Sequence, residues 1–465
     1  MSVRTVVVGA GLSGLAAALA SVRRGDETVL LEASDRPGGV VRSERRAGYL
    51  LELGPNTVRP TREIAALVRD LGLEDEAVYA DARLPRYVDF GGTLQAVPMS
   101  PGGLLGTRLL SLGGKLRILM EPLIRARRSD ESDESDESDE SVRDFVARRL
   151  GPQVAERLVE PFVGGVFAGD ARRLSVAAAF PVLAGWERRH GSLFAGALAA
   201  RRAARGPNAD ADALPKGLLS FRDGVEALPR ALAARLGETL RLRSAVEGLA
   251  PDTAKTAGRG WTLVAAGTEL SADRVILTLP APRAAAIVSS FAPEAARALA
   301  AIPYPPLALL HLAWEERALR RPLAGFGQLV APSPNRRILG AVWSSSLFAG
   351  RAPAGRALLT VFLGGTRDPG ALALSDDALV AAATKDLEEE GLIHGPPEVV
   401  RITRWEAAIP QYERGHVRAV SVLAETERRW PGLHFRGNYR GGISVGDVVR
   451  QGLAAGASDG ATPQS

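Results

Sequence analysis

The pattern of apolar and polar positions near residue 1 predicts a strand, a helix and a second strand. Val3–Val8 is a mostly apolar, β-branched run, as expected for a strand buried on both faces. A glycine-rich turn follows, and an alanine-rich stretch with helical spacing then extends to about Arg24. A second apolar run, Thr28–Leu31, ends at Glu32. This order is typical of a βαβ unit, in which a helix connects two parallel strands.

The turn between the first strand and the helix has the composition of a dinucleotide-binding loop. It reads Gly9-Ala10-Gly11-Leu12-Ser13-Gly14, a GxGxxG pattern in its expected context. Gly9 permits the tight turn, Gly11 lets the backbone approach a pyrophosphate, and Gly14 lets the helix pack on the strand. The N–H groups of the helix N-terminus would bind the phosphates. Glu32 would accept the ribose hydroxyls, and an acid at this position disfavours the 2′-phosphate of NADP.

Later apolar runs predict a second sheet. Arg83–Pro98 reads as a strand, a Gly-Gly turn and another strand. Further strands and one helix are predicted at Leu307–Trp314, Gly325–Ala331, Arg337–Ser345, Arg356–Gly364 and, for the helix, Ser375–Glu390. Together they predict a mixed or antiparallel sheet that forms a separate substrate domain. Shorter strands are predicted at Leu240–Leu242, Trp261–Ala265, Arg274–Leu279 and Leu433–Phe435, and the last two are expected to return to the first sheet.

An acidic repeat dominates the charge balance of the chain. Residues 129–141 read SDESDESDESDES and contain eight acids, and without those acids the formal charge would rise from +5 to +13. Because the repeat has no apolar residue to bury, it is predicted to be a disordered surface loop. The basic remainder of the chain suits a substrate that carries carboxylates.

A basic, leucine-rich stretch at Gly102–Arg128 precedes the repeat. Such a stretch can lie on an anionic membrane surface or line an apolar channel, or it can be an ordinary core helix with solvated basic edges. These readings stay open at this point. The uncharged run Phe90–Thr107 contains two prolines and five glycines, so no transmembrane helix is expected there. We also expect no secretory signal peptide, because a strand-like run follows Met1 almost at once.

Several kinds of chemistry are excluded or lack support. The chain has no cysteine, which excludes disulfides, cysteine-ligated zinc, iron–sulfur clusters and thiol catalysis. The five histidines show no metal-binding spacing, and no Ser-His-Asp order or paired-carboxylate motif is evident. The pattern does not indicate a nucleic-acid partner.

Nine motifs, in order along nearly the whole chain, resemble the flavin amine oxidase superfamily and, within it, the oxygen-dependent protoporphyrinogen oxidases. They are GAGLSGL, LEASDRPGG, GYLLELGPN, RYVDFGGTLQAVP, GVFAGD with LSVAAAFP, FRDGVEALP, GFGQLVAP, IPQYERGH and GNYRGGISVGD. The first three occur in many flavoproteins, whereas the FAGD-x₃-LS-x₄-FP and IPQY-x₂-GH patterns are narrower. The acidic repeat is a departure from the family pattern and affects none of these motifs.

The resemblance implies an α/β fold of three interleaved parts. A Rossmann-like FAD-binding domain is expected from residues 1–82, 216–285 and 415–457. A mixed-sheet substrate domain is expected from 83–98 and 286–414. The third part, residues 99–205, is expected to be a helical, membrane-facing domain that includes the acidic loop 129–141, and 458–465 is expected to be a flexible tail.

The resemblance also implies which residues bind FAD. They are Gly9–Gly14, Glu32, Ala33, Arg36, Gly39, Gly54, Pro55, Asn56, Thr57, Val246, Asn438, Ile443, Ser444 and Val445. Val246 is expected at the adenine end. Asn438 and Ile443–Val445 are expected beside the isoalloxazine, with backbone N–H groups facing its pyrimidine edge. Because the chain has no cysteine for a thioether link, the FAD is expected to be held non-covalently.

For the substrate, the resemblance points to Arg86 and Phe326. Arg86 is expected to pair with a tetrapyrrole propionate, since a guanidinium makes a bidentate, permanently charged contact with a carboxylate. Phe326 is expected either to pack against the macrocycle or to be a core aromatic. His416 is expected to be structural. No catalytic side chain is assigned, because flavin N5 would carry the chemistry.

The activity implied is the FAD-dependent, six-electron oxidation of protoporphyrinogen IX to protoporphyrin IX in haem biosynthesis, with dioxygen as acceptor and hydrogen peroxide released. Three alternatives stay open: oxidation of coproporphyrinogen III to coproporphyrin III, an amine or carotenoid oxidoreductase, and a flavin-free binding protein. A paired aromatic cage, expected beside the flavin of an amine oxidase, is not offered by GNYRGGISVGD. A cytoplasmic location, peripheral contact with the inner face of the cell membrane and a homodimer are also expected.

Overall fold

Two large sheets organise the part of the chain that the computed structural model describes, residues 3–127, 139–203, 214–252 and 260–458. The strands are β1 (Arg4–Val8), β2 (Glu27–Leu31), β3 (Ser43–Arg46), β4 (Tyr49–Glu52), β5 (Ala77–Tyr79), β6 (Arg86–Phe90), β7 (Thr93–Ala96), β8 (Leu219–Phe221), β9 (Leu240–Arg241), β10 (Val246–Pro251), β11 (Trp261–Ala265), β12 (Thr268–Ala272), β13 (Arg274–Leu277), β14 (Leu307–Glu315), β15 (Gly327–Val330), β16 (Ile338–Val342), β17 (Arg356–Gly364), β18 (Glu398–Trp405) and β19 (Leu433–Phe435). The helices are α1 (Leu12–Arg24), α2 (Arg62–Asp70), α3 (Pro101–Gly106), α4 (Leu112–Leu119), α5 (Val142–Leu150), α6 (Pro152–Val154), α7 (Glu160–Phe167), α8 (Val176–Ala179), α9 (Pro181–His190), α10 (Leu193–Ala203), α11 (Ala227–Leu236), α12 (Ala281–Val288), α13 (Pro293–Ala300), α14 (Ser344–Leu347), α15 (Asp376–Glu389), α16 (His416–Arg429) and α17 (Val445–Ala457).

The first sheet is parallel and has the strand order β19-β13-β1-β2-β9. Its central strands are buried on both faces, because helices α1, α11 and α17 cover one face, and the small antiparallel sheet β10-β11-β12 packs with helices α12 and α13 in the core on the other. The βαβ prediction is confirmed, with α1 ending at Arg24, and β19 has the predicted bounds. The sheet therefore joins three widely separated stretches of the chain.

The second sheet is mixed, with the order β18-β14-β17-β16-β15-β6-β7. The hairpin β6–β7 turns at Gly91 and Gly92, both at positive φ, and β6 pairs in parallel with β15. The predicted hairpin and mixed sheet are thus confirmed, and α15 is capped by Ser375 as the helix prediction required. Three strand predictions were too long by two residues or more: Arg274–Leu279 ends as a strand at Leu277, Gly325–Ala331 is a strand only over Gly327–Val330, and Arg337–Ser345 ends at Val342, because the chain turns into α14 at Ser344.

Helices α3 to α10 form a third part with its own apolar core, which includes Phe145, Val163 and Phe167. The acidic repeat ends inside this part, so the prediction of a disordered loop over 129–141 is corrected for its last three residues. Ser141 caps α5 through the Asp144 N–H, at 3.1 Å, and Glu140 bonds to the Arg148 guanidinium at 2.7 and 2.9 Å. The rest of the repeat lies outside the described residues, as do residues 204–205 of the expected helical domain and all but the first residue of the predicted tail.

The predicted α/β fold with a mixed second sheet and a helical part is therefore the fold of this chain. Within the described residues, no helix is both long and apolar enough to cross a membrane. The membrane-facing role of the helical part stays a prediction.

Candidate functional site

The GxGxxG loop has the geometry that its glycines predict. Gly9 has φ +98°, and its N–H donates to the Leu31 carbonyl at 2.7 Å. A Cβ on Gly14 would lie 1.8 Å from the Gly9 carbonyl oxygen, so only glycine allows this approach of helix to strand. A Cβ on Gly11, in contrast, would meet no atom within 4 Å. No side chain of the described residues caps the N-terminus of α1, so its first-turn N–H groups have no side-chain acceptor, as a pyrophosphate site requires.

Glu32, directly after β2, stabilises the GxGxxG loop by hydrogen bonding. Its carboxylate accepts the Ala10 N–H at 2.7 Å, the Ser34 N–H at 2.9 Å and the Ser34 hydroxyl at 2.8 Å. An ionised carboxylate accepts about four hydrogen bonds, so capacity remains for a ribose hydroxyl. The Ser244 N–H donates to the Glu32 carbonyl at 2.8 Å, which brings the start of β10, and with it Val246, beside Glu32.

The segment after Glu32 folds back onto the GxGxxG loop. The Gly38 N–H donates to the Ala10 carbonyl at 2.8 Å, and a Cβ on Gly39 would lie 3.3 Å from the Gly11 Cα. Arg36 holds this segment together, because its guanidinium donates to the Gly39 carbonyl at 2.7 Å and the Pro37 carbonyl at 3.2 Å. Ala33 is exposed at the same edge. A direct contact of Arg36 or Ala33 with FAD stays a prediction.

Residues Gly54 to Thr57 pass beside this segment and lead to the second sheet. A Cβ on Gly54 would lie 2.0 Å from the Val40 carbonyl oxygen, so the two loops touch through their backbones. Asn56 lines a cavity between the loop and the second sheet, together with Leu50, Glu52, Val342, Ser344, Leu347, Phe348 and Arg351. With a volume of about 10 Å³ it has room for a single water molecule, so it marks the place where the expected cofactor loop packs against the expected substrate sheet.

A buried ion pair at this cavity was missed by the sequence analysis. Arg351 Nη1 lies 2.9 Å from Glu52 Oε1, and the side chains are only 3% and 5% exposed. The Ser43 hydroxyl at 2.6 Å and the Val225 N–H at 3.0 Å also donate to the Glu52 carboxylate, and Arg351 bonds to the Ser220 hydroxyl. Burial raises the pKa of Glu52 to about 6, against the opposing effect of Arg351. The pair ties the cofactor-side strand β4 to the segment between β16 and β17.

The two residues expected to bind substrate lie together. β6 carries Arg86 and pairs with β15 directly after Phe326, so the Arg86 guanidinium carbon lies 5.3 Å from the centroid of the Phe326 ring. Arg86 is exposed, and among the described residues no carboxylate lies within ion-pair distance of it. Phe326 is half-buried and packs against the apolar cluster of Ala80, Leu347 and Phe348. We call Arg86, Phe326 and this cluster the ledge. Its exposed cation beside an apolar surface suits an apolar ring that carries a carboxylate.

The C-terminal loop from Gly437 to Ser444 leads from β19 into α17 and carries Asn438 and Ile443. Ser444 caps α17 by accepting the Asp447 N–H at 3.1 Å, which leaves the N–H groups of Val445 and Gly446 at the helix N-terminus. Ile443 also packs against the apolar core of the helical part. The structure therefore places this loop where the first sheet and the helical part meet, and its contact with a flavin ring stays a prediction.

The residues present fit FAD. Gly11, with open space at its Cα, and the uncapped N-terminus of α1 follow the carboxyl end of β1. Glu32, which can still accept a ribose hydroxyl, follows the carboxyl end of the adjacent strand β2. Doubly wound sheets bind dinucleotides at this edge. These groups would hold the pyrophosphate and ribose, and the α17 N-terminus would supply donors for the negative charge that reduction places on a flavin.

Comparison with known proteins agrees with this geometry. The model of the flavin containing amine oxidoreductase family matches residues 12–457. A chloroplastic protoporphyrinogen oxidase of Oryza sativa subsp. japonica is 36% identical over 97% of this chain and 86% of its own. The coproporphyrinogen III oxidase of Bacillus subtilis (strain 168) is 30% identical over 97% of this chain and 96% of its own.

Among solved structures, a protein of Exiguobacterium sp. 255-15, provisionally assigned as a protoporphyrinogen oxidase, superposes with a TM-score of 0.76. It is 24% identical, and the match covers 98% of both chains, so this likeness shows the fold. The family match and the curated relatives confirm the resemblance stated from the motifs. The chain belongs to the flavin-containing amine oxidoreductase family and is an FAD-dependent oxidoreductase.

Proposed function

We propose that this enzyme oxidises protoporphyrinogen IX to protoporphyrin IX, with dioxygen as the acceptor and hydrogen peroxide as the second product. The observation that carries the proposal is the pair of Arg86 and Phe326 at the edge of the second sheet, next to the cluster that lines the cavity. The rice relative is named for this activity. An exposed guanidinium on an aromatic ledge matches an apolar macrocycle with a propionate at its rim.

The chain's own residues bind and orient the substrate. Arg86 would hold a propionate by a bidentate contact, and Phe326 would give the ring an apolar surface. Leu347 and Phe348, both buried, exclude water from the inner end of this surface. FAD, when bound, supplies the two-electron oxidation, which is used three times for the six electrons. Position and a dry pocket are then the protein's main contributions to the rate.

Coproporphyrinogen III is the second candidate, because the Bacillus subtilis relative is named for it. It carries four propionates, so a site built for it should offer more unpaired cations. Two arginines contact aromatic rings here: Arg86 lies over Phe326, and Arg351 lies over Phe348. Arg351 already forms an ion pair with Glu52. Arg86 is thus the cation left for substrate at this ledge among the described residues, which favours the substrate with fewer carboxylates.

A direct assay tests the proposal. The FAD-loaded enzyme is incubated with protoporphyrinogen IX or coproporphyrinogen III in air, while porphyrin fluorescence and peroxide are followed together. We expect faster porphyrin formation than in an enzyme-free control, with a higher kcat/KM for protoporphyrinogen IX. A higher kcat/KM for coproporphyrinogen III would reassign the substrate. No acceleration with either compound would refute the proposal.

We also propose that the helical part rests on an anionic membrane surface, with the enzyme on the cytoplasmic side. Four leucines recur with helical spacing on α4 and the turn after it, and each is at least 60% exposed: Leu112, Leu116, Leu119 and Leu123. Exposed arginines 108, 125 and 127 lie on the same stretch. An apolar stripe with flanking cations is typical of a helix that lies in the headgroup region. A homodimer stays a prediction from the resemblance.

A further inference from the structure

The IPQY-x₂-GH motif meets the C-terminal loop through two side chains. Tyr412 and His416 are 2% and 7% exposed, and their rings stack with centroids 4.2 Å apart and an interplanar angle of 12°. Both side chains reach the Gly437–Ser444 loop, which lies more than 20 residues further along the chain.

The Tyr412 hydroxyl bonds to the loop at two points. It donates to the Asn438 carbonyl at 2.7 Å and accepts the Gly442 N–H at 3.1 Å. One oxygen therefore closes the loop across four residues. The loop needs such a closure, because Gly437, Gly441 and Gly442 are all at positive φ and glycine leaves the backbone many alternative conformations.

His416 bonds to the same loop between those two points. Its Nε2 lies 2.9 Å from the Tyr439 carbonyl oxygen, and only a protonated nitrogen can bond to a carbonyl. Burial lowers the pKa of His416 to about 4, so at pH 7 the ring is neutral and carries its proton on Nε2. Three contacts thus hold the backbone of residues 438, 439 and 442.

The pair is itself anchored on the helical part. The Ser175 N–H donates to the Tyr412 carbonyl at 2.8 Å, and the Gly415 N–H, next to His416, donates to Asp139 at 3.1 Å. Residues of the helical part therefore fix the backbone at both ends of the Tyr412–His416 segment. Through these two side chains, the helical part influences the conformation of the Gly437–Ser444 loop.

We infer that Tyr412 and His416 are positioning residues for the flavin, which set its affinity and reduction potential by holding the Asn438–Gly442 backbone. The inference rests on FAD binding and not on the identity of the substrate. Negative charge develops on a flavin when it is reduced, so backbone N–H donors held in place bind the reduced form more tightly than the oxidised form. A looser loop should weaken both forms, and the reduced form more.

A pair of matched variants tests this inference. Tyr412→Phe removes a buried hydroxyl that makes two bonds, whereas Tyr439→Phe removes a fully buried hydroxyl that has no hydrogen-bond partner among the described residues. Without these two bonds the empty loop adopts other conformations, and because only the competent fraction binds, we expect the Kd for FAD to rise about tenfold or more in Tyr412→Phe. A tenfold loss confined to the reduced form would lower the two-electron potential by about 30 mV. Tyr439→Phe should keep the wild-type affinity and potential.

Both quantities are measured without any porphyrinogen, by flavin fluorescence titration and by dye-coupled potentiometry, so failure of the proposed substrate leaves this test intact. If Tyr412→Phe keeps the wild-type Kd and potential, or if Tyr439→Phe changes them equally, the inference is wrong. If Tyr412→Phe does not fold, two variants of His416 test the inference instead. His416→Gln retains a donor for the Tyr439 carbonyl and should keep the potential, whereas His416→Leu should lower it. Equal potentials in those two variants would overturn the inference.

Discussion

The guanidinium carbon of Arg86 lies 5.3 Å from the centroid of the Phe326 ring, although the whole helical part and strands β8 to β14 lie between the two residues along the chain. The parallel pairing of β6 with β15 produces this contact, since Arg86 aligns with Gly327 and the Phe326 N–H donates to the Pro85 carbonyl at 2.9 Å. The ledge is therefore built by backbone hydrogen bonds, and its two side chains can be changed without breaking the sheet.

Replacing Arg86 with alanine should weaken substrate binding and leave the cofactor in place. A charge-assisted bond to a carboxylate is worth about 1.5–3 kcal/mol, so we expect KM to rise by roughly 10- to 100-fold. Steady-state kinetics and flavin absorbance measure the two effects. Arg321→Ala is the matched control, because Arg321 stacks on Tyr87, whose side chain alternates to the other face of β6. Equal KM increases in both variants would contradict the assignment.

Two glycines of the nucleotide loop should respond differently to alanine. Gly11 has φ −67° and space for a Cβ, so Gly11→Ala should fold with a free energy of unfolding within about 1 kcal/mol of wild type and still bind FAD at least tenfold more weakly, because the methyl group occupies the pyrophosphate cradle. Gly14→Ala should destabilise the apoprotein itself, since its Cβ would overlap the Gly9 carbonyl. Urea unfolding of apoprotein and flavin titration separate the two results. Normal FAD affinity in Gly11→Ala would show that the pyrophosphate does not bind at this loop.

Breaking the Glu52–Arg351 pair should cost far more than breaking a surface pair. Arg351→Met leaves a carboxylate buried without its cation, so we expect a loss of about 3–5 kcal/mol in the free energy of unfolding. Adding Glu52→Gln to that variant should recover part of the loss. Arg45→Ala is the control, because Arg45 and Asp223 form a 2.6 Å pair with both side chains more than half exposed, and we expect a change of at most ~1 kcal/mol. Similar losses in the two single variants would show that the buried pair has no special role.

Glu390 should make stability fall as the pH rises. It is buried at the end of α15 and accepts the Gln328 amide N–H at 2.8 Å; burial first, and the charge of Asp89 second, raise its pKa to about 8. Between the unfolded pKa and pH 8 the folded state holds a proton that the unfolded state has lost. This group therefore subtracts about 1.4 kcal/mol of stability for each pH unit in that window.

Glu390→Gln should abolish that dependence, so its stability relative to wild type should increase steadily from pH 5 to pH 8 and then level off. Urea unfolding at four pH values measures the slope, and exposed Glu425→Gln serves as the control. A constant difference between Glu390→Gln and wild type across this range would show that Glu390 ionises normally.

Removing two exposed leucines should release the enzyme from anionic vesicles. Leu112→Ser with Leu116→Ser deletes residues that are 80% and 60% exposed on one face of α4. We expect the bound fraction to fall at least tenfold in a sedimentation assay with phosphatidylglycerol vesicles, because each buried leucine contributes about 1.5–3 kcal/mol. Val399→Ser with Val417→Ser, both 47% exposed elsewhere, should bind as wild type. Wild-type protein that never sediments with the vesicles would refute the membrane proposal.

The sequence predicted those features whose signal is local. The GxGxxG loop, β19 and the β6–β7 hairpin follow from short apolar runs and glycines, and the structure has them at the expected places. The length of β16 was overestimated, because the apolar pattern continues to Trp343 and gives no sign that Ser344 starts a helical turn. The order at Asp139–Ser141 was missed, because composition shows no capping bond.

The ion pair of Glu52 and Arg351 and the bonds of Tyr412 to residues 438 and 442 were beyond prediction for a different reason. They depend on which distant segments the fold brings together, and the two members of the ion pair are 299 positions apart along the chain. Glu52 lies in the GYLLELGPN motif. Its apolar neighbours were the local indication that its carboxylate would be buried and would need a partner. Arg351 had no local signal at all.

The order of strands in the first sheet has a consequence for synthesis of the protein on the ribosome. β1 pairs with β2 soon after both emerge, but its other neighbour, β13, begins at residue 274, and β19 begins at 433. At about 5–20 residues per second, the nascent β1 edge waits roughly 10 to 50 seconds for β13. During that time an apolar parallel edge is open to mispairing. We therefore expect that this edge must be protected until β13 has been synthesised, and that the first sheet is complete only when β19, near the end of the chain, has been translated.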